Sequence, residues 1–139
     1  MPLIKESLQA GKTVKLSPKG VSMLPMLRQG IDSVVLAAPT GKLKKYDLPL
    51  YQRRDGHYVL HRVVKAGERY TCIGDNQFKL EHGIAQEQII GVAVAFTRGE
   101  KQYSVEHFGY RFYCRFWHYT RPVRHLWRGG MARLRRLIK

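Results

Sequence analysis

Leu48-Pro49-Leu50-Tyr51-Gln52-Arg53-Arg54-Asp55-Gly56-His57-Tyr58-Val59-Leu60-His61-Arg62-Val63-Val64-Lys65 is the stretch on which the reading of the fold turns. Asp55-Gly56 is a tight-hairpin signal, because both residues tolerate the positive φ that such a turn demands. The runs on either side, Leu48 to Arg53 and Tyr58 to Lys65, carry the β-branched and aromatic residues that fit a pleated, half-buried surface. Pro49 has no backbone N–H for a ladder and argues that its strand lies at an edge.

Working toward the C-terminus, Ala66-Gly67-Glu68 turns the chain into a strand over 69–73, and the tight turn predicts that this strand pairs with 58–65. Gly74-Asp75-Asn76 ends it. Residues 77–88 are polar and loop-like, and Ile89 to Phe96 has the unbroken apolar composition of a central strand. Gly99-Glu100 turns into Gln102–Glu106. Toward the N-terminus, Tyr46–Gln52, Ser33–Ala38 and Thr13–Leu16 read as strands, and residues 1–12 as a short helix ending at Gly11. Six or seven short strands with frequent turns predict a mainly β domain over residues 1–106.

Residues 107–139 differ in kind. Tyr110, Tyr113, Phe116 and Trp117 recur at helical spacing, Pro122 interrupts, Val123, Leu126 and Trp127 recur, and Gly129-Gly130 breaks the pattern before Met131, Leu134 and Ile138. After Glu106 there is no acidic residue, while Arg111, Arg115, Arg121, Arg124, Arg128, Arg133, Arg135, Arg136 and Lys139 supply most of the chain's net charge of +15. The tail therefore reads as a basic amphipathic helical segment. One reading packs it on the domain with its arginines solvated. A second lays it in an anionic membrane interface, with Arg115, Trp117, Arg124 and Trp127 facing the head groups. Single-stranded nucleic acid is a third partner that suits interleaved arginines and aromatics, but no nucleic-acid motif accompanies them.

The two cysteines, Cys72 and Cys114, have neither metal-ligand nor framework spacing, and no metal or cofactor is expected. Neither a secretory signal nor an apolar run long enough for a helical span is seen. The expectation is a cytoplasmic protein, peripheral at the inner face of the membrane.

The candidate chemistry starts at Lys19-Gly20-Val21-Ser22-Met23-Leu24-Pro25-Met26-Leu27. Gly20 and Pro25 bend the backbone around Ser22, and Met23, Met26 and Leu27 anchor it. Ser22 is either a turn-capping serine or a nucleophile. A serine hydroxyl needs a base. By strand alternation Val59, His61 and Val63 share a face, where partial desolvation favours the neutral imidazole a base requires. His61 could equally be a satisfied core histidine. Either Asp75 or Glu81 could orient its ring.

In this order the segments resemble the signal peptidase I superfamily of serine peptidases, which includes the self-cleaving SOS-type repressors. Gly20-x-Ser22-Met23-x-Pro25-x-Leu27 resembles the nucleophile box. Tyr46-Asp47-Leu48-Pro49-Leu50-Tyr51 resembles the Gly-Asp-Ile-Val strand, with Tyr in place of Gly. Val59-Leu60-His61-Arg62-Val63 resembles the box of the general base, and Gly74-Asp75-Asn76 the closing box. The resemblance covers about residues 13–97 and is closest to the Ser-His, endoplasmic-reticulum and archaeal, type. It implies a β-ribbon catalytic domain and a serine endopeptidase acting on a peptide, leader or precursor protein at or near a membrane. Ser22 is then the nucleophile, His61 the base, and Glu81 or Asp75 the orienting acid. The Ser22 N–H is the oxyanion donor, with Gly20, Met23 and Pro25 shaping the substrate and oxyanion region. The alternative is a catalytically silent member that binds lipid or peptide.

Overall fold

The strand expected over Tyr58–Lys65 is two strands, divided at His61 between two sheets. The structure is a computed structural model describing residues 2–20 and 22–138, so Met1, Val21 and Lys139 lie outside the described residues. Chain order gives α1 (Pro2–Gln9), β1 (Val14–Leu16), β2 (Ser33–Ala37), β3 (Pro49–Gln52), β4 (Tyr58–Leu60), β5 (Arg62–Ala66), β6 (Tyr70–Ile73) and β7 (Glu81–Ile84). A 3₁₀ turn at Gln86–Gln88 leads into β8 (Ile89–Arg98), β9 (Lys101–Ser104), α2 (Phe108–Tyr119) and α3 (Arg121–Ile138).

The fold is mainly β. The larger sheet has the order β1-β2-β8-β3-β4, with β9 also on β8, and the smaller has β5-β6-β7. All pairs are antiparallel. β8 is the central strand its composition predicts. Its apolar residues Ile90, Ala93 and Phe96 join Leu8, Leu27, Val34, Leu36 and Leu50 in the main core. A second core draws on both sheets, with Tyr51 and Ile89 from the larger and Val63, Tyr70, Cys72 and Ile84 from the smaller. Cys72 and Cys114 are both buried free thiols.

Several expectations change. β3 is internal, between β8 and β4, and Pro49 is tolerated because it is the strand's first residue. The polar stretch 77–88 holds β7 and the 3₁₀ turn; Glu81-His82-Gly83-Ile84 pairs only with β6, and with both His82 and Gly83 exposed it lacks the alternation that marks a half-buried strand. Among the described residues there are nine strands in place of six or seven. Gly129-Gly130 does not break α3, and Pro122 is its second residue, where a missing N–H costs no helical bond.

The tail is two helices, and the first belongs to the domain. Tyr110 and Cys114 of α2 are buried in the main core. Among the described residues no helix is long and apolar enough to cross a membrane.

Candidate active site

The serine loop is held from below and from behind. Residues 22–26 form a turn closed by the Leu27 N–H donating to the Met23 carbonyl at 3.0 Å. Met23, Met26 and Leu27 are buried in the main core, as the sequence anticipates. Gly20 has φ +82°, the left-handed region that its lack of a Cβ permits, and its N–H donates to Gln29 Oε1 at 3.0 Å. Behind the loop runs Gly74-Asp75-Asn76. The Asn76 N–H donates to the Ser22 carbonyl at 2.8 Å, and the Asp75 N–H approaches Met23 Sδ at 3.5 Å. A Cβ on Gly74 would stand 2.6 Å from the Ser22 carbonyl oxygen, so only glycine lets the two segments come this close.

Ser22 and His61 line one cleft of about 410 Å³, together with Gly20, Met23, Leu50 and Gln77. Pro25 lies outside that lining, and its carbonyl accepts from Arg98 Nη1 at 3.0 Å. His61, at the break between β4 and β5, is only 5% exposed. Burial pushes its imidazole down to about 4, against the opposing pull of the Glu81 carboxylate. The ring is therefore neutral at pH 7.

One proton fixes which nitrogen of His61 can act as base. Tyr51 Oη donates to Glu81 Oε2 at 2.8 Å and lies 3.4 Å from His61 Nδ1. Arg53 donates to both Glu81 oxygens, at 2.8 and 2.9 Å. These bonds, with burial opposing, hold the Glu81 carboxyl below its usual range, so Glu81 is ionised and can only accept. Tyr51 has a single hydroxyl proton, and Glu81 takes it. The phenolic oxygen then faces Nδ1 as an acceptor, which favours the tautomer with the hydrogen on Nδ1 and a lone pair on Nε2. Glu81 Oε2 itself is 3.8 Å from Nδ1, so its influence on the ring runs through space and through Tyr51.

Asp75 is directed elsewhere. Its carboxylate accepts from Arg62 Nε at 2.8 Å, from Arg62 Nη2 at 2.9 Å and from Tyr113 Oη at 2.7 Å. Trp117 Nε1 donates to its backbone carbonyl at 2.6 Å. Arg62 also donates to Tyr110 Oη at 2.7 Å and to the Tyr46 carbonyl at 3.0 Å. Of the two acids the sequence leaves open, Glu81 is the one beside His61, and Asp75 ties the hairpin to α2.

The tail residues divide in the same way. Arg115 is exposed, its guanidinium 5.0 Å from the Tyr46 ring, and Trp127 is 70% exposed. Trp117 and Arg124 turn toward the domain: Trp117 bonds Asp75, and Arg124 stacks 3.7 Å over its indole. The outward apolar surface falls on Phe108, Phe112, Phe116, Val123, Leu126 and Trp127.

Tyr51 and Arg53 escaped the reading of the sequence. The hairpin register carried the signal, since Tyr51 pairs with Val59, two residues before His61. Among the described residues no cluster of His, Cys, Asp or Glu could hold a metal ion. No protein-family model matches the chain, no curated protein matches it, and no solved structure matches it.

Proposed function

We propose that this chain is a serine endopeptidase of the signal-peptidase-like kind, with Ser22 as nucleophile, His61 as general base and Glu81 with Tyr51 as positioning residues. The observation that carries the reading is the shared cleft of Ser22 and His61, with the single Tyr51 proton committed to Glu81. In the reaction, His61 Nε2 takes the Ser22 Oγ proton as Oγ bonds to the scissile carbonyl carbon. The imidazolium gives that proton to the leaving nitrogen as the C–N bond breaks, leaving an acyl-enzyme. A water molecule, deprotonated by the same nitrogen, adds to the acyl carbon, and Ser22 leaves with the proton restored. The Ser22 N–H serves as oxyanion donor.

A further observation supports the resemblance. Tyr46 stands where the superfamily strand begins with glycine, and its φ is +81°, the only positive value at a described non-glycine residue. The position has the backbone of a glycine without being one. Tyr46 is held there by its N–H donating to the Val63 carbonyl at 2.7 Å and by Arg62 on its own carbonyl.

The partner at the tail is an anionic membrane surface. Phe108, Phe112 and Phe116 are spaced four residues apart on α2 and are 84%, 60% and 52% exposed, with arginines between them. That face also favours the second reading, a silent binding module. A diverse peptide mixture incubated with vesicles containing phosphatidylglycerol separates the two readings. Fragments formed by the wild type and absent with Ser22→Ala establish the peptidase, with turnover falling roughly 10³-fold or more in Ser22→Ala and His61→Ala. Vesicle binding with identical peptide spectra from wild type and Ser22→Ala leaves the binding module.

A further inference from the structure

The cleft that holds Ser22 does not end at His61. Arg53, His61 and Gln77 also border a second depression of about 460 Å³, which adds Phe78, Leu80 and Glu81. Phe78 and Leu80 in turn border a third, of about 680 Å³, whose far wall is α3 at Pro122, His125 and Leu126. The second shares wall residues with each of the other two, so the three lie side by side from the serine, over the 77–80 segment, to the start of α3.

Its far end is apolar at the base and cationic around the rim. Ile73, Phe78, Leu80 and Leu126 supply the apolar walls, with Leu80 44% and Leu126 74% exposed. Around them the Arg128 guanidinium lies 5.0 Å and the Arg124 guanidinium 5.9 Å from the Phe78 ring. Arg121 lines the groove with its Nε buried and lacking a hydrogen-bond partner. The carboxylate that Arg121 and Arg124 feel is Asp75, which is committed to Arg62 and Tyr113, and Glu81 is committed to Arg53 and Tyr51. The arginine rim thus has no acidic counterpart of its own within the groove.

We infer that this groove is a second recognition site for the peptide substrate, taking an apolar segment flanked by acidic residues on one side of the scissile bond. The inference rests on the peptidase reading of Ser22 and adds the class of substrate. Position and charge decide the occupant. The groove shares Phe78 and Leu80 with the depression beside His61 and carries a cationic rim, whereas Phe108, Phe112 and Phe116 of α2 line none of the three depressions. The shared walls let one extended peptide occupy both sites. The arginine rim adds long-range attraction for acidic residues, which salt weakens.

The test uses the full chain as Ser22→Ala, so the probe survives, and fluorescence polarisation. The probe is a fluorescein-labelled 14-residue synthetic peptide with a central Leu-Leu pair between glutamates. Controls replace the leucines by serine or the glutamates by lysine. Binding to the probe, and at least about tenfold weaker binding of both controls, supports the groove. The same loss is expected for the probe with Leu126→Asp or Leu80→Asp added. Both sites are exposed enough for the variants to fold, and their melting curves check this. Equal binding of all three peptides, no binding of any, or unchanged affinity in the folded Leu126→Asp and Leu80→Asp proteins overturns it. So does a loss confined to phosphatidylglycerol vesicles, which makes the groove part of the lipid surface. The two readings fail separately. A probe that binds through Leu126 and Leu80 but is never cleaved by the wild type removes the peptidase and keeps the groove. Cleavage indifferent to the leucines and to both variants removes the groove and keeps the peptidase.

Discussion

His61 and Arg62 are neighbours in the chain, and each faces one carboxylate, yet the two pairs do different work. Arg62 and Asp75 are 2% and 1% exposed, and every polar atom of the pair meets a fixed partner on the hairpin or on α2. Glu81 is a quarter exposed at the edge of the cleft, and its contact with His61 is 3.8 Å long and shared with Tyr51 and Arg53. A pair sealed from water is structure: removing one member strands a buried charge. A pair open on one side adds little to stability, and its geometry is free to serve a proton transfer.

The sharpest way to break this comparison is to remove one acid at a time. Asp75→Asn leaves Arg62 buried without its counter-charge and is expected to destabilise the fold by about 3–5 kcal/mol in urea unfolding. Glu81→Gln is expected to cost under about 1 kcal/mol while lowering turnover by roughly 10²-fold through the loss of ring orientation. Equal destabilisation by the two variants ends the distinction. So does full activity in Glu81→Gln.

Gly74→Ala probes the wall between the regions. The new methyl would meet the Ser22 carbonyl oxygen at 2.6 Å and Gln77 Oε1 at 2.8 Å. Overpacking of this sort costs about 1–3 kcal/mol, and here the backbone that yields is the one carrying Ser22. The melting temperature and the rate of Ser22 labelling by a fluorophosphonate are expected to fall together. A lowered melting temperature with unchanged labelling means that Gly74 supports the fold without placing the serine.

Much of this architecture was legible in the sequence, for reasons that also mark where legibility stops. The hairpin at Asp55-Gly56 and the central strand from Ile89 to Phe96, which β8 carries on to Arg98, follow from local rules, turn chemistry in one case and an unbroken apolar run in the other. Gly20 is another local reading, and its φ of +82° agrees with it. The break at His61 is not local: strand chemistry continues through Val63, and only the second core, packed around Val63 and Cys72, turns the chain into another sheet. The choice between Asp75 and Glu81 was open because both follow β6 within reach of the hairpin. What separates them is Arg62, drawn to Asp75 by Tyr110, Tyr113 and Trp117 from a helix some 40 residues further on. Helical periodicity could show that α2 has a buried face. It could not show that this face reaches the acid, so Trp117 read as outward.

Tyr51→Phe sharpens the comparison inside the cleft. The variant keeps the ring in the second core and the Arg53–Glu81 pair, and loses only the oxygen beside Nδ1. Turnover is expected to fall by about tenfold, with no change in the peptides cleaved, because the imidazole is then free to carry its hydrogen on Nε2. NMR of the His61 ring nitrogens reads the tautomer directly. A ring that keeps Nδ1 protonated in Tyr51→Phe assigns the orientation to Glu81 alone.

The pH dependence takes its sign from His61 being lowered. In the unfolded chain a histidine titrates at roughly 6.5; in the fold His61 is pushed down to about 4. Between those values the unfolded chain binds a proton that the native chain refuses, so stability falls as pH drops from 6.5 toward 4 and is unaffected by this group above or below that window. Glu81, lowered in the fold, acts in the same sense but only as pH falls through the ordinary carboxyl range and below. The difference between the pH–stability curves of wild type and His61→Gln isolates the histidine, and a flat difference between pH 4 and 6.5 means that its ring is hydrated. The same displacement carries to the reaction. The acid limb of kcat/KM, which reports the free enzyme's base, is expected near pH 4 instead of 6.5. Glu81→Gln removes the charge that holds the imidazole up and should move that limb lower still, whereas Asp75→Asn should leave it close to the wild-type position. An opposite ranking of the two variants would transfer the role of His61's partner back to the buried pair.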